Sequence, residues 1–144
     1  MRVLAFVAVG ILAGDPAEAC KCTDPGLGAD MQNATAVFVA TIDDVTETKV
    51  CPPKGPQWCY STYRHEARVE SVWKGTPGKA VTLDTGSGKG DCSRGGNLGK
   101  GKRWLIFARG GGPVFDVRIC AGNQLATPAI IDRMTKRFGE PKRS

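Results

Sequence analysis

The sequence predicts a mainly β, closed or nearly closed five-stranded barrel with a C-terminal helix, stapled by disulfides, with a two-sheet sandwich as the alternative. Three observations carry this. Apolar and polar residues alternate over several short runs separated by glycine-rich turns. Helical periodicity is confined to the last seventeen residues. Six cysteines occur in a chain of 144 residues, an even count typical of a small exported domain.

The first residues read as a signal for export. Arg2 supplies a positive charge, and Val3 to Leu12 is a nearly unbroken apolar run. Gly14 and Pro16 break that run, and Ala17-Glu18-Ala19 is a small-x-small cleavage triplet. The apolar run is too short to anchor a chain across a bilayer, and no second one follows. The expected organisation is a signal peptide over 1–19 and a single domain over 20–144, secreted to an extracellular or periplasmic space. Attachment of lipid at Cys20 is the alternative fate, although Glu18 suits a lipid-attachment box poorly. Cleavage removes Arg2, Asp15 and Glu18, leaving 19 basic against 12 acidic residues, a net +7. Such a balance favours acidic or polyanionic partners and speaks to association rather than fold.

The strands follow in order. Val37 to Val45 alternates, with Val37, Val39, Thr41 and Val45 on one face and Phe38, Ala40 and Ile42 on the other. A single helical turn is expected before it, over Asp30–Ala34. Tyr60 to Trp73 places Tyr63, His65, Ala67 and Val69 on one face and Arg64, Glu66, Arg68 and Glu70 on the wet one. Gly75–Gly78 is a turn, Ala80–Thr85 a third strand, and Gly86–Gly101 a loop carrying Cys92. Arg103–Ala108 is apolar throughout its centre, which predicts burial on both faces. Gly110-Gly111-Gly112-Pro113 turns the chain into a fifth strand, Val114–Cys120. Thr127 is a natural N-cap, with Pro128 at the first helical position. Ile130, Ile131, Met134 and Phe138 form the apolar stripe of the closing helix, which Gly139 and Pro141 stop.

Chemistry for catalysis is sparse. His65 is the single histidine and sits in mid-strand, where a structural role outweighs that of a base or ligand. A Ser-His-Asp or Cys-His site would have to be built around it alone. Oxidised cysteines are poor nucleophiles, and no CxxC pair suggests a zinc site. Gly86-Ser87-Gly88-Lys89-Gly90 lacks the full phosphate-loop pattern and the helix that should follow. The chain is therefore expected not to be an enzyme, to hold no cofactor or metal of its own, and not to target nucleic acid. Lys100, Lys102 and Arg103 are candidate contacts for an anionic polysaccharide or acidic surface.

Cys20 and Cys22 are too close in an extended chain to bond each other easily, so each must reach a distant partner. Cys51 and Cys59 flank a Pro/Gly-rich stretch and are placed to close a local loop. Cys92 and Cys120 remain for the N-terminal pair. Cleavage after Ala19 also gives Cys20 a free α-amine, which titrates near roughly pH 7.7 to 8. Tied down by two disulfides, that amine and the Cys20 carbonyl form a rigid N,O pair. Such a pair can fill the open coordination position of a protease zinc.

These residues resemble the netrin-like domain of the tissue inhibitors of metalloproteinases. The resemblance rests on Cys20-x-Cys22 after a signal peptide, Ala29-Asp30, and Ala36-Val37-Phe38-Val39-Ala40. It continues through Val69-x-x-Val72-Trp73-Lys74-Gly75, Thr85-Gly86 to Cys92, Trp104-Leu105-Ile106-Phe107-Ala108 and Cys120. It spans essentially the whole of 20–144. It implies a five-stranded OB-type Greek-key barrel, disulfides Cys20–Cys92 and Cys22–Cys120, zinc chelation by Cys20, and an inhibitory wedge continued by Lys21, Cys22 and Thr23. Two features depart from the family. Lys21 stands where a small hydroxyl residue is usual, and Cys51 and Cys59 lie in a different loop from the family's third N-terminal disulfide.

Overall fold

The computed structural model describes residues 26–51, 53, 59–86, 96–118 and 120–144. Helix α1 (Gly26–Asn33) leads into strands β1 (Ala36–Val50), β2 (Tyr60–Lys74), β3 (Ala80–Gly86), β4 (Arg103–Gly111) and β5 (Val114–Val117). A short β6 (Gln124–Leu125), helix α2 (Pro128–Phe138) and β7 (Lys142–Arg143) complete the chain. The strands run in the order β1-β2-β3-β5-β4, and β4 returns to pair with β1, which closes a five-stranded barrel. All pairings in the barrel are antiparallel except β3 with β5. This is the closed five-stranded barrel read from the sequence, of the OB type that the resemblance implies.

Closure demands curvature, and bulges supply it. Register shifts between β1 and β2 leave one residue without an opposite number at three places. By the pairing these are Trp73 and Glu70 on β2 and Asp43 on β1. The Asp43 bulge changes the parity of β1. Phe38, Ala40 and Ile42 point into the barrel, and beyond the bulge Val45 joins them against the same core cluster. The sequence reading puts Val45 on the face of Val37, because simple alternation contains no extra residue.

Two apolar clusters result. The barrel interior holds Phe38, Ile42, Ala67, Val69, Leu83, Ile106, Phe115 and Val117. A second cluster lies outside the β1–β4 seam, where Val37, Val39, Leu105 and Phe107 meet Ile130 and Met134 of α2. β4 is thus buried on both faces, with Leu105 through Ala108 all at 1% exposure or less. Its unbroken apolar run has that physical cause. Leu27 and Met31 of α1 and the ring of Trp73 pack against the same outer cluster.

Local signals act as expected around α2. The Thr127 hydroxyl accepts the Ile130 amide at 3.4 Å, Pro128 occupies the first turn, and Gly139 ends the helix with φ +85°. Trp73 Nε1 donates to the Gly139 carbonyl at 2.9 Å, fixing the helix end to β2.

Several element boundaries differ from the sequence reading, and β4 runs on through Gly111 rather than ending at Ala108, because Gly110 and Gly111 stay paired with Phe115 and Val114. The turn expected over Asp30–Ala34 belongs to an eight-residue helix starting at Gly26. β1 continues five residues past Val45, because β2 stays paired with it as far as Val50 and Tyr60. β5 ends at Val117 rather than Cys120. There the Arg118 carbonyl accepts both the Ala121 amide and the Asn123 side chain, so a turn replaces the ladder.

Candidate functional site

The residues read as an inhibitory wedge, Cys20, Lys21, Cys22 and Thr23, lie outside the described residues, as does Cys92. The structure does describe the platform on which the chain after them rests. Asp30 of α1 is 5% exposed and abuts Gly122 in the connection between β5 and β6. A methyl group on Gly122 would sit 2.6 Å from Asp30 Oδ2, and Gly122 holds φ +78°. Both facts require glycine there. Two residues earlier in the same connection, Cys120 is disulfide-bonded. Asn123 holds the connection to the barrel: its Oδ1 accepts the Phe107 amide at 2.6 Å and its Nδ2 donates to the Arg118 carbonyl at 2.6 Å. The start of the described chain and Cys120 therefore share one end of the molecule. The sequence reading singles out neither Gly122 nor Asn123. The Gly-Asn pair just after Cys120 is the signal that marks a turn there.

A second feature is the arm formed where β1 and β2 run on beyond the barrel. Past Val45↔His65, pairings continue from Thr46↔Arg64 to Val50↔Tyr60, and the arm ends in the disulfide Cys51–Cys59. That bond is the local closure expected from the sequence. The arm's own contacts are polar. Ser61 and Tyr63 both donate to the Glu47 carboxylate, and Thr62 Oγ1 donates to the Thr48 carbonyl at 3.4 Å.

The basic candidates lie around the entry to β4, and carboxylates meet two of them. Lys100 Nζ lies 3.2 Å from Asp44 Oδ1. The hydrogen bond from Lys100, with the Val45 amide and the lysine charge, holds the Asp44 carboxyl below its ordinary range. Arg103 Nε lies 2.6 Å from Glu70 Oε2, and its Nη1 donates to the Ala126 carbonyl at 3.3 Å. The other Glu70 oxygen accepts Thr41 Oγ1 at 2.6 Å. Burial acts to raise the Glu70 pKa, but the bonds from Thr41 and Arg103 and the charges of Arg103 and Arg68 together outweigh it and lower it. Glu70 lies at one of the bulges and faces outward beside Thr41, on the wet face that alternation assigns it. Lys102 makes no ion pair among the described residues. The neighbouring β2 face is matched in the same way, with Arg68 on Asp43 at 3.1 Å and Thr82 Oγ1 on both oxygens of Glu66.

His65 is fully buried beneath the loop that precedes β4. Its Nε2 accepts the Leu98 amide at 3.0 Å. Among the described residues, no group of three or more His, Cys, Asp or Glu is placed to hold a metal ion. No helix among them is long and apolar enough to cross a membrane. No family model matches the chain, and no curated protein matches it.

Proposed function

We propose that this chain is a metalloproteinase-inhibitor-like protein, exported and processed so that the α-amine and carbonyl of Cys20 chelate the active-site zinc of a target protease. The observation that carries the reading is the docking of α1 beside Cys120. Asp30 packs on Gly122, two residues from a disulfide-bonded cysteine, at one end of a closed OB-type barrel. Cys22 precedes α1 by four residues, and extended chain covers at most about 14 Å over that length. A Cys22–Cys120 bond is therefore within reach, and with Cys20–Cys92 it would hold the amine rigid. Rigidity matters because a preorganised N,O pair loses little entropy on docking. Lys21 would follow the chelating residue into the specificity pocket. An ammonium there carries a desolvation cost unless an acid meets it, so the target is a protease with an acidic or open pocket.

The test is an inhibition titration against several zinc endopeptidases. It compares the protein beginning at Cys20 with a version carrying one extra alanine in front. Stoichiometric inhibition that disappears on extension is the expected result. Equal inhibition by both versions, or inhibition by neither, overturns the mechanism. The rival reading is an interaction module that binds polyanions through Lys100, Lys102 and Arg103. It is less well supported, because Asp44 and Glu70 already neutralise two of the three cations.

A further inference from the structure

A neutral histidine in the interior has one lone pair to offer, and His65 spends it on a loop. His65 is 0% exposed, at the point in β2 where Val45 lies opposite on β1 and Leu83 opposite on β3. Nε2 accepts the Leu98 amide, which fixes the proton of the neutral ring on Nδ1. Nδ1 is itself buried and meets no hydrogen-bond partner among the described residues. Leu98 is in turn the keystone of the segment Gly96–Lys102. Its side chain packs into the barrel core, and its carbonyl accepts Trp104 Nε1 at 2.9 Å. The ends of that segment are secured separately. Thr85 Oγ1 donates to the Gly96 carbonyl at 2.8 Å, and the Ile42 amide and carbonyl pair with Lys102 and Gly101. The middle of the loop is held at Leu98, by the imidazole, the Trp104 indole and the core contact of its side chain.

We propose that His65 is an acid-sensitive latch: a proton taken from solvent onto the Nε2 lone pair turns the acceptor of the Leu98 amide into a donor, the hydrogen bond breaks, and the middle of the loop around Leu98 lifts from the barrel. The neighbouring groups do not keep the ring charged in the closed state. The Leu83 backbone and the Asn97 side chain favour the imidazolium, as does the charge of Asp84 on β3, yet burial dominates and depresses the pKa. The Asp84 Oδ1 atom already accepts the Gly86 amide. On β1, Asp44 is paired with Lys100, and Glu47 accepts Ser61 and Tyr63. On β2 itself, Arg64 and Glu66 point outward, and the Tyr63 ring lies 6.5 Å from the imidazole.

The sign follows from linkage. The closed state holds the ring neutral, whereas the open state exposes it with an ordinary pKa near 6.5. Opening therefore takes up a proton. The closed form is fully favoured above about pH 6.5 and loses ground about tenfold per unit below it, until the closed-state histidine itself titrates. The latch is independent of Cys20 and its chemistry, so its test and the inhibition titration can fail separately.

The experiment is native-state hydrogen exchange on the full chain at pH 7.5 and 5.0, corrected for intrinsic exchange. The reporters are the Leu98 amide and the Trp104 indole N–H. Their protection should fall by up to about 30-fold at pH 5.0, while the amides of Ile106 and Phe107 in β4 keep theirs. His65→Gln, whose carbonyl oxygen accepts the Leu98 amide without titrating, should abolish the difference. Should that variant fail to fold, nitrogen NMR of the wild-type ring tests the same protonation states directly. An Nδ1-protonated neutral ring whose titration lies below pH 6.5 is expected. Leu98 protection that does not change with pH, a response that persists in folded His65→Gln, or an Nε2-protonated ring overturns the proposal.

Discussion

Strands β1 and β2 each run for fifteen residues, but their two halves are held by different forces. In the barrel half, Ala36 to Ala40 of β1 are all buried, with one set of side chains in the barrel and the other beneath α2. In the arm half, Thr46 to Lys49 are exposed, and the pair is secured by backbone ladder, side-chain hydrogen bonds and Cys51–Cys59. The dividing point lies just past Val45, the last β1 residue that packs on the barrel core. On one side apolar burial supplies the stability, and a lost methylene is felt by the whole domain. On the other, two strands alone are marginal in water and need a covalent clasp. A continuous ladder thus does not imply a uniform source of stability.

Substitutions can break that contrast, and the largest effect belongs to the barrel. Phe38→Ala removes a fully buried ring that meets Phe115 edge-on at 5.8 Å between centroids. It should cost about 3–5 kcal/mol, read as a shift in the midpoint of denaturant unfolding with the slope unchanged. In the arm, Cys51→Ser with Cys59→Ser opens a bond of sequence separation 8. Loop-closure entropy sets the loss near roughly 2.5 kcal/mol. That loss should appear as faster exchange of the Thr46–Val50 amides, with an unfolding-midpoint shift clearly smaller than that of Phe38→Ala. A midpoint shift as large as that of Phe38→Ala would show the two halves to be one cooperative unit.

Smaller changes sharpen the picture on the outer face. Thr127→Ala deletes the cap of α2 and should cost about 1 kcal/mol, measured by thermal unfolding. Glu70→Gln breaks a half-exposed ion pair with Arg103 and should change stability by less than about 1 kcal/mol at pH 7. The depressed Glu70 pKa fixes the sign with acid. Its contribution is present above the ordinary glutamate value and is lost as pH falls through the lowered folded value, so wild type and Glu70→Gln should converge in acid. A gap that widens as pH falls would contradict the pairing.

Much of this architecture is written in local patterns. Period-two alternation locates β2 and β3 and assigns the faces of His65, Ala67 and Val69. An all-apolar run marks β4 as buried on both sides, and Thr127-Pro128 with Gly139 brackets α2. Each signal lies within a few residues because side-chain direction along one strand or helix is a local property. The closed ladder, the bulges and the partners of the charged residues were settled only in three dimensions. Alternation cannot reveal that Asp43 is an extra residue, and so it misplaces Val45. Composition shows Lys100 and Arg103 as cations, but only folding brings Asp44 and Glu70 to them from other strands. Likewise Asp30 meets Gly122, and Leu98 meets His65, across long stretches of chain. Such contacts depend on how curved strands close upon one another, a geometry set by the packing of the whole core rather than by any short segment of sequence.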